Sequence, residues 1–312
     1  MDYSVTPLDN YQNDAAAVGG RKLADEWITR ARRLLRSLWR NKTALAGAVI
    51  LCAVIAAAIA APLLAPHDPH AQDLNNRLQP PDGPAAGKAG HLLGTDHLGR
   101  DIFSRIIYGS RVSLLVGVVT VLIAGTIGTA LGLLAGYYGG KVDAAIMRIA
   151  DIQLAFPFIL LALSVMAVLG SGLKNVIIVL SLTGWVMYGR VVRGEVLAMR
   201  EKEFVEAARA LGGRDRRVIL RHILPNVVTT MIVMGTLEVA RVIIAESSLT
   251  FLGLGVEPMI PTWGGMLSDG REYLSNAWWV ATFPGLAIMF TVLGINLLGD
   301  WLRDALDPRL KT

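Results

Sequence analysis

A chain of 312 residues with a net charge of +5 carries 53% hydrophobic and only 18% charged residues, against roughly 45–50% apolar and about 25% charged in an ordinary soluble domain. With a mean hydropathy of +0.49, the composition argues against a soluble enzyme or nucleic-acid-binding module and points to a polytopic membrane protein. One cysteine, Cys52, excludes a disulfide framework and a cysteine metal site.

Residues 1–43 are polar and then basic. Leu23, Trp27, Leu34, Leu35 and Leu38 fall along one side of a helix there, which predicts a cytoplasmic tail ending in an interfacial helix. The apolar run that follows is too long for a cleaved signal peptide. Crossing the hydrocarbon takes roughly 20 apolar residues, and six segments qualify: Ala44–Ala65, Val112–Tyr137, Ile149–Leu169, Val176–Tyr188, Val227–Leu252 and Trp278–Leu298. The fourth is the shortest. An even number puts both termini on one side. Of 30 lysines and arginines, 22 lie in the tail, the 138–148 and 189–225 loops and the C-terminus, so these segments are read as cytoplasmic. The organisation is therefore a tail (1–43), a first span (44–65), an outer loop (66–110), a five-span core (111–300) with a cytoplasmic loop at 189–225, and a short C-terminal tail (301–312).

The outer loop is rich in Pro, Asp, Asn and Gly and ends in His91-Leu-Leu-Gly-Thr-Asp-His-Leu-Gly-Arg-Asp-Ile-Phe-Ser-Arg105. His91, Asp96, His97 and Asp101 are of metal-binding type, but their spacing matches no closed site. The favoured reading is a structural elbow feeding the second span, and no metal is expected. That span carries Gly117, Gly125, Gly128, Gly132 and Gly136, small residues that let helices approach closely in lipid. Gly136-Tyr-Tyr-Gly-Gly-Lys141 lacks the first glycine and the final Ser/Thr of a phosphate loop, so the chain has no nucleotide site of its own. Pro157, inside the third span, removes a backbone hydrogen bond and is read either as a hinge or as fixed shape. Glu238, Arg241 and Glu246 interrupt the fifth span. Charges at that depth cost about 2.5–3.5 kcal/mol each, so they are expected to face a cavity or one another. Glu238, Arg241, Glu246 and Ser247 are candidates for the polar wall of a substrate path, Glu246 and Ser247 nearer its outer end; Glu238 and Arg241, three apart, can also pair, which is the structural alternative. Trp278-Trp279 reads as an interfacial belt.

The remaining stretch, Glu203-Phe-Val-Glu-Ala-Ala-Arg-Ala-Leu-Gly-Gly-Arg-Asp-Arg-Arg-Val-Ile-Leu-Arg-His-Ile-Leu-Pro225, is a basic amphipathic island between two spans. Its periodicity predicts a helix from about Glu195 with Leu197, Phe204, Ala208 and Leu211 on the docking stripe. Gly212 and Gly213 stop it, and a second short helix runs to Pro225.

This island resembles the cytoplasmic signature of ABC importer permeases: Glu206, Ala207, Ala208, Gly212, Leu224 and Pro225 match at the right spacing, with His222 standing in the isoleucine place. Thr95-Asp96 with Gly99-Arg100-Asp101, and Glu246 to Gly255 followed by Pro261-Thr-Trp-Gly-Gly-Met266, are similar to the dipeptide, oligopeptide, glutathione and nickel branch, in particular to its second, C-type permease. The resemblance implies an all-α, six-span type I importer permease in a bacterial inner membrane, with a cytoplasmic coupling helix. It implies partners: a homologous permease in a heterodimer, one or two P-loop ATPases that hold ATP and Mg, and a periplasmic or extracellular substrate-binding protein. No enzymatic activity, cofactor or nucleic acid is expected of this chain. Peptides are the expected cargo, with glutathione or nickel chelates as the alternative within the class. A stand-alone secondary transporter would need internal repeats and a coupling-ion site, and an intramembrane enzyme would need catalytic residues within the spans, where no histidine lies.

Overall fold

A computed structural model describes residues 36–82 and 90–306 of the chain. Of the expected interfacial helix, residues 1–35 lie outside the described residues, as do 307–312 of the C-terminal tail; residues 36–40 are helical. The described residues are helical apart from loops, turns and a single β-bridge between Thr95 and Asp101.

The first span is α1 (Lys42–Ile59), capped by the Asn41 side chain and continued by the one-turn α2 (Ala61–Leu64). The second is α3 (Ile102–Tyr138) and the fourth is α6 (Leu173–Arg200). The fifth is α9 (Leu224–Phe251) and the last α11 (Trp279–Leu306). These five are long and apolar enough to cross a bilayer. Between α3 and α6 the expected third span is broken into α4 (Gly140–Leu154) and α5 (Phe158–Leu169), bent by 89°. At 1.5 Å per residue α5 alone reaches only about 18 Å, short of the ~30 Å hydrocarbon core. Two short helices, α7 (Glu203–Ala210) and α8 (Asp215–Val218), lie between α6 and α9, and α10 (Trp263–Gly270) lies between α9 and α11.

The most extensive packing is between α3 and α6. Glycine explains it. A Cβ at Gly128 would stand 2.4 Å from the Trp185 carbonyl oxygen, one at Gly132 2.6 Å from that of Gly189, and one at Gly136 2.7 Å from Val196 Cβ. Any side chain on this stripe would push the two backbones apart, so the glycine-rich second span is buried as its sequence predicts. Gly47 on α1 and Gly294 on α11 meet in the same way, with a Cβ on Gly47 only 2.8 Å from the Gly294 oxygen.

Three helix boundaries differ from expectation. The outer loop is shorter, because α3 starts at Ile102 behind Asp101, whose carboxylate accepts from Ser104 N at 2.8 Å. Arg105 and Arg111 mask that start in a hydropathy reading. The fourth span is not short: α6 runs on to Arg200, because Arg190 and Arg193 are matched by Asp151 and Asp143 of α4. The 189–225 loop therefore contains the end of a long helix. Pro157 does not kink a continuous helix but caps a new one, with φ −57° and ψ 128°. Trp279 is buried and donates to the Thr95 carbonyl at 3.2 Å, which leaves only Trp278 exposed for an interfacial role.

Candidate functional site

The amphipathic island at 203–225 folds as a seated helix. Chain turns at Glu201 and Lys202 separate α7 from α6, so the helix starts at Glu203 and not near Glu195. Its inner side is Val205, fully buried, with Ala208 half-buried beside it; they pack on Leu133 and Tyr137 of α3, Val192 and Val196 of α6, and Val218, Ile219 and Ile223. Phe204 and Leu211, expected on the docking stripe, instead stand 43% and 89% exposed. The error is one of phase. Val205 and Ala208 are three apart and define the apolar stripe themselves.

Gly212 ends the helix at φ +78°. Leu211 is the last capping residue, Gly212 N donates to Arg209 O at 2.9 Å, and Gly213 N donates to Ala208 O at 3.0 Å. This is the 6→1 and 5→2 pattern of a Schellman cap, which places its second residue in the left-handed region that favours glycine. No atom lies within 4 Å of a Cβ added to Gly212, whereas one on Gly213 would lie 2.5 Å from Ala208 O. The first glycine is thus required by backbone conformation and the second by space. Tyr137, reaching down from α3, donates to Asp215 at 2.8 Å, and the Arg209 guanidinium lies 4.8 Å from the centre of its ring. These contacts pin both sides of the turn to the end of α3. Glu206 and Ala207 face outward and are exposed.

Pro225 does not end the second helix. Residues Ile219–Ile223 form one π-turn, Leu224 N donates to Ile219 O, and Pro225 occupies the first turn of α9. The wider turn accommodates a residue that has no N–H and would clash with the carbonyl four positions back. Asn226 Nδ2 donates to the His222 carbonyl at 2.7 Å. Leu224 is half-buried and Pro225 exposed. Helical backbone therefore runs without a break from Asp215 through the π-turn into α9, and the Gly212–Gly213 turn joins it to α7.

On α9, Arg241 and Glu238 pair at 3.2 Å, with Arg241 68% exposed and Glu238 16%. Glu246 is corrected: it is fully buried within its own chain and accepts from Thr250 Oγ1 at 2.9 Å, and Ser247 is buried beside it. Ser247 borders a small apolar pocket with Phe251, Leu267 and Ile288. Thr250 Oγ1 also accepts from Val256 N at 3.3 Å, so the Glu246 carboxyl helps to fix the loop after α9.

In the loop before α3, Asp96 and Arg100 pair at 2.6 Å and Arg100 reaches Asp269 of α10 at 3.0 Å. Arg105 lies 3.7 Å from Asp96 and 3.9 Å from Asp269. All but Asp269 are buried. This cluster clamps the Gly-Thr-Asp string to α10, supporting the expected elbow; its long-range partner Asp269 was not visible in the local spacing.

Residues 128–312 match the family model described as the inner membrane component of binding-protein-dependent transport systems, and residues 29–81 match the N-terminal transmembrane domain of oligopeptide transport permease C. The chain is 47% identical over 281 residues to a dipeptide transport system permease protein of Alkalihalophilus pseudofirmus, covering 90% of each chain. It is 45% identical to a glutathione transport system permease protein of Pectobacterium atrosepticum, over 90% of this chain and 92% of that one. A di/tripeptide transport system permease protein of Pseudomonas aeruginosa is 43% identical, over 89% and 93%. Among solved structures, the inward-facing methionine ABC transporter MetNI matches with a TM-score of 0.54 at 20% identity, covering 65% of this chain and 97% of that one; this likeness bears on fold. The chain belongs to the inner-membrane permeases of binding-protein-dependent transport systems, in the branch that shares the N-terminal domain of oligopeptide transport permease C.

Proposed function

We propose that this chain is one half of the pore of an ATP-driven importer for short peptides, paired with a homologous permease in a heterodimer. The observation that carries the reading is α7: a short helix whose inner side is seated on three other segments while Glu206, Ala207 and Leu211 stay exposed. It is built to receive a partner. ATP and Mg belong to separate ATPase subunits, whose closure presses on α7 and moves α9 through the π-turn. Two pore conformations with different affinity for the nucleotide state of the ATPases suffice to drive accumulation. The excess of basic residues in the tail and the 189–225 loop supports cytoplasmic termini. Glu238 and Arg241 on α9 are the candidates for a polar wall of the path; a guanidinium so exposed at membrane depth calls for a cavity or a second subunit. Peptide cargo is supported by the dipeptide and di/tripeptide relatives, and glutathione by a relative of nearly equal identity.

The test is affinity purification from mild detergent followed by mass spectrometry and reconstitution. Recovery of a homologous permease and P-loop ATPases, with ATP-dependent uptake of dipeptide, is the expected outcome. Transport by this chain alone without ATP would overturn it.

A further inference from the structure

The outer loop brings together three residues that the clamp does not use. His91 Nδ1 lies 2.9 Å from Asp101 Oδ1, and His67 Nδ1 lies 3.7 Å from the same oxygen. The three ligand atoms fall within 4.8 Å of one another, and the two rings are 4.7 Å apart. If His91 donates to Asp101, His67 Nδ1 is left buried without a hydrogen-bond partner, a loss of about 1–3 kcal/mol. One cation at the centre would satisfy all three atoms. Tetrahedral zinc with bonds of about 2.0–2.2 Å holds its ligands about 3.3–3.6 Å apart, and the distances present straddle that value. The other Asp101 oxygen accepts from Ser104 N at 2.8 Å, which fixes the orientation of the carboxylate as an outer-shell contact does in metal sites. Among the described residues, Asp101 has no Lys or Arg in ion-pair range. The other group of this type, Asp96, His97 and Asp269, is already matched by Arg100 and Arg105 and has no such need.

We propose that His67, His91 and Asp101 bind one divalent transition-metal cation of the zinc class on the outer face of the protein. Asp101 caps α3, His67 follows the first span, and His91 closes the outer loop. The cation would staple both ends of that loop to the start of α3. The inference does not depend on the importer reading, and its test needs no transport.

The experiment uses the full chain in detergent, stripped with chelator and titrated with Zn²⁺ against a chromogenic competitor, with folding followed by size-exclusion elution and thermal denaturation. One Zn²⁺ per chain is expected, raising the midpoint of denaturation. Outer-shell partners already shift metal affinity about 10–100-fold, so His67→Gln and His91→Gln should each weaken Zn²⁺ by at least about 100-fold, while His97→Gln should not. His67 makes no side-chain hydrogen bond, so its replacement tests binding without breaking the fold. Absence of saturable Zn²⁺ binding by folded wild-type protein, or wild-type affinity retained in either the His67 or the His91 variant, would overturn the proposal.

Discussion

The two ends of the molecule treat charge in opposite ways. Before α3, Asp96, Arg100 and Arg105 are folded away, with the half-buried Asp269 closing the cluster. Around α7, Glu203, Glu206, Arg209 and Arg214 stand exposed on a helix whose only fully buried residue is Val205. Buried charges are kept where removing one would strand the others, so the outer clamp fixes a shape. Exposed charges on a seated helix carry no such penalty. They remain free for a second protein. A fixed shape at one end and an exposed, seated helix at the other suit a transport permease that works with a second protein.

Breaking the clamp should give the largest effect on stability. Arg100→Leu leaves Asp96 buried with only Arg105 nearby and should cost about 3–5 kcal/mol, read as a lowered midpoint of unfolding in detergent. The double change Arg100→Leu with Asp96→Leu should recover part of it; no recovery would mean that the pair is not what stabilises the elbow. At the other end Gly212→Val should abolish uptake while the protein stays in the membrane, since a β-branched residue at φ +78° strains the backbone by about 1–3 kcal/mol and shifts the turn. Normal transport by that variant would count against α7 as the coupling element. Val205→Ala should loosen the seat by about 1–3 kcal/mol, lowering uptake more than it lowers global stability. Arg209→Ala removes a ring contact of about 0.5–1 kcal/mol. Its effect on uptake should be the smallest of the four, measurable only as a modest loss at limiting substrate.

The same contrast explains what could be read from sequence. The places of five long apolar helices and the capping glycines follow from local signals, because a bilayer imposes length and a Schellman turn imposes φ. The glycine stripe of α3 also announced its burial. Phase and pairing did not follow. Whether Phe204 or Val205 faces inward depends on Tyr137, Val192 and Val196, distant in the chain but adjacent in space. A lone carboxylate in an apolar run points to a cavity, yet Thr250 one turn on satisfies Glu246. The full length of α6 was hidden because Arg190 and Arg193 find Asp151 and Asp143 on another helix. His67 gives no local signal for the same reason: its neighbours His91 and Asp101 arrive only through the loop.

The most direct test uses the exposed residue beside the cap. Cys52 is the chain's single cysteine, so Cys52→Ser with Leu211→Cys leaves one thiol, placed where the native side chain is 89% exposed. Crosslinking in membranes that contain the whole importer should join this position to an ATPase subunit, with a yield that changes when ATP is added. Crosslinks only to copies of this chain, or none in the presence of an active importer, would contradict α7 as the point where ATP-driven closure enters the membrane.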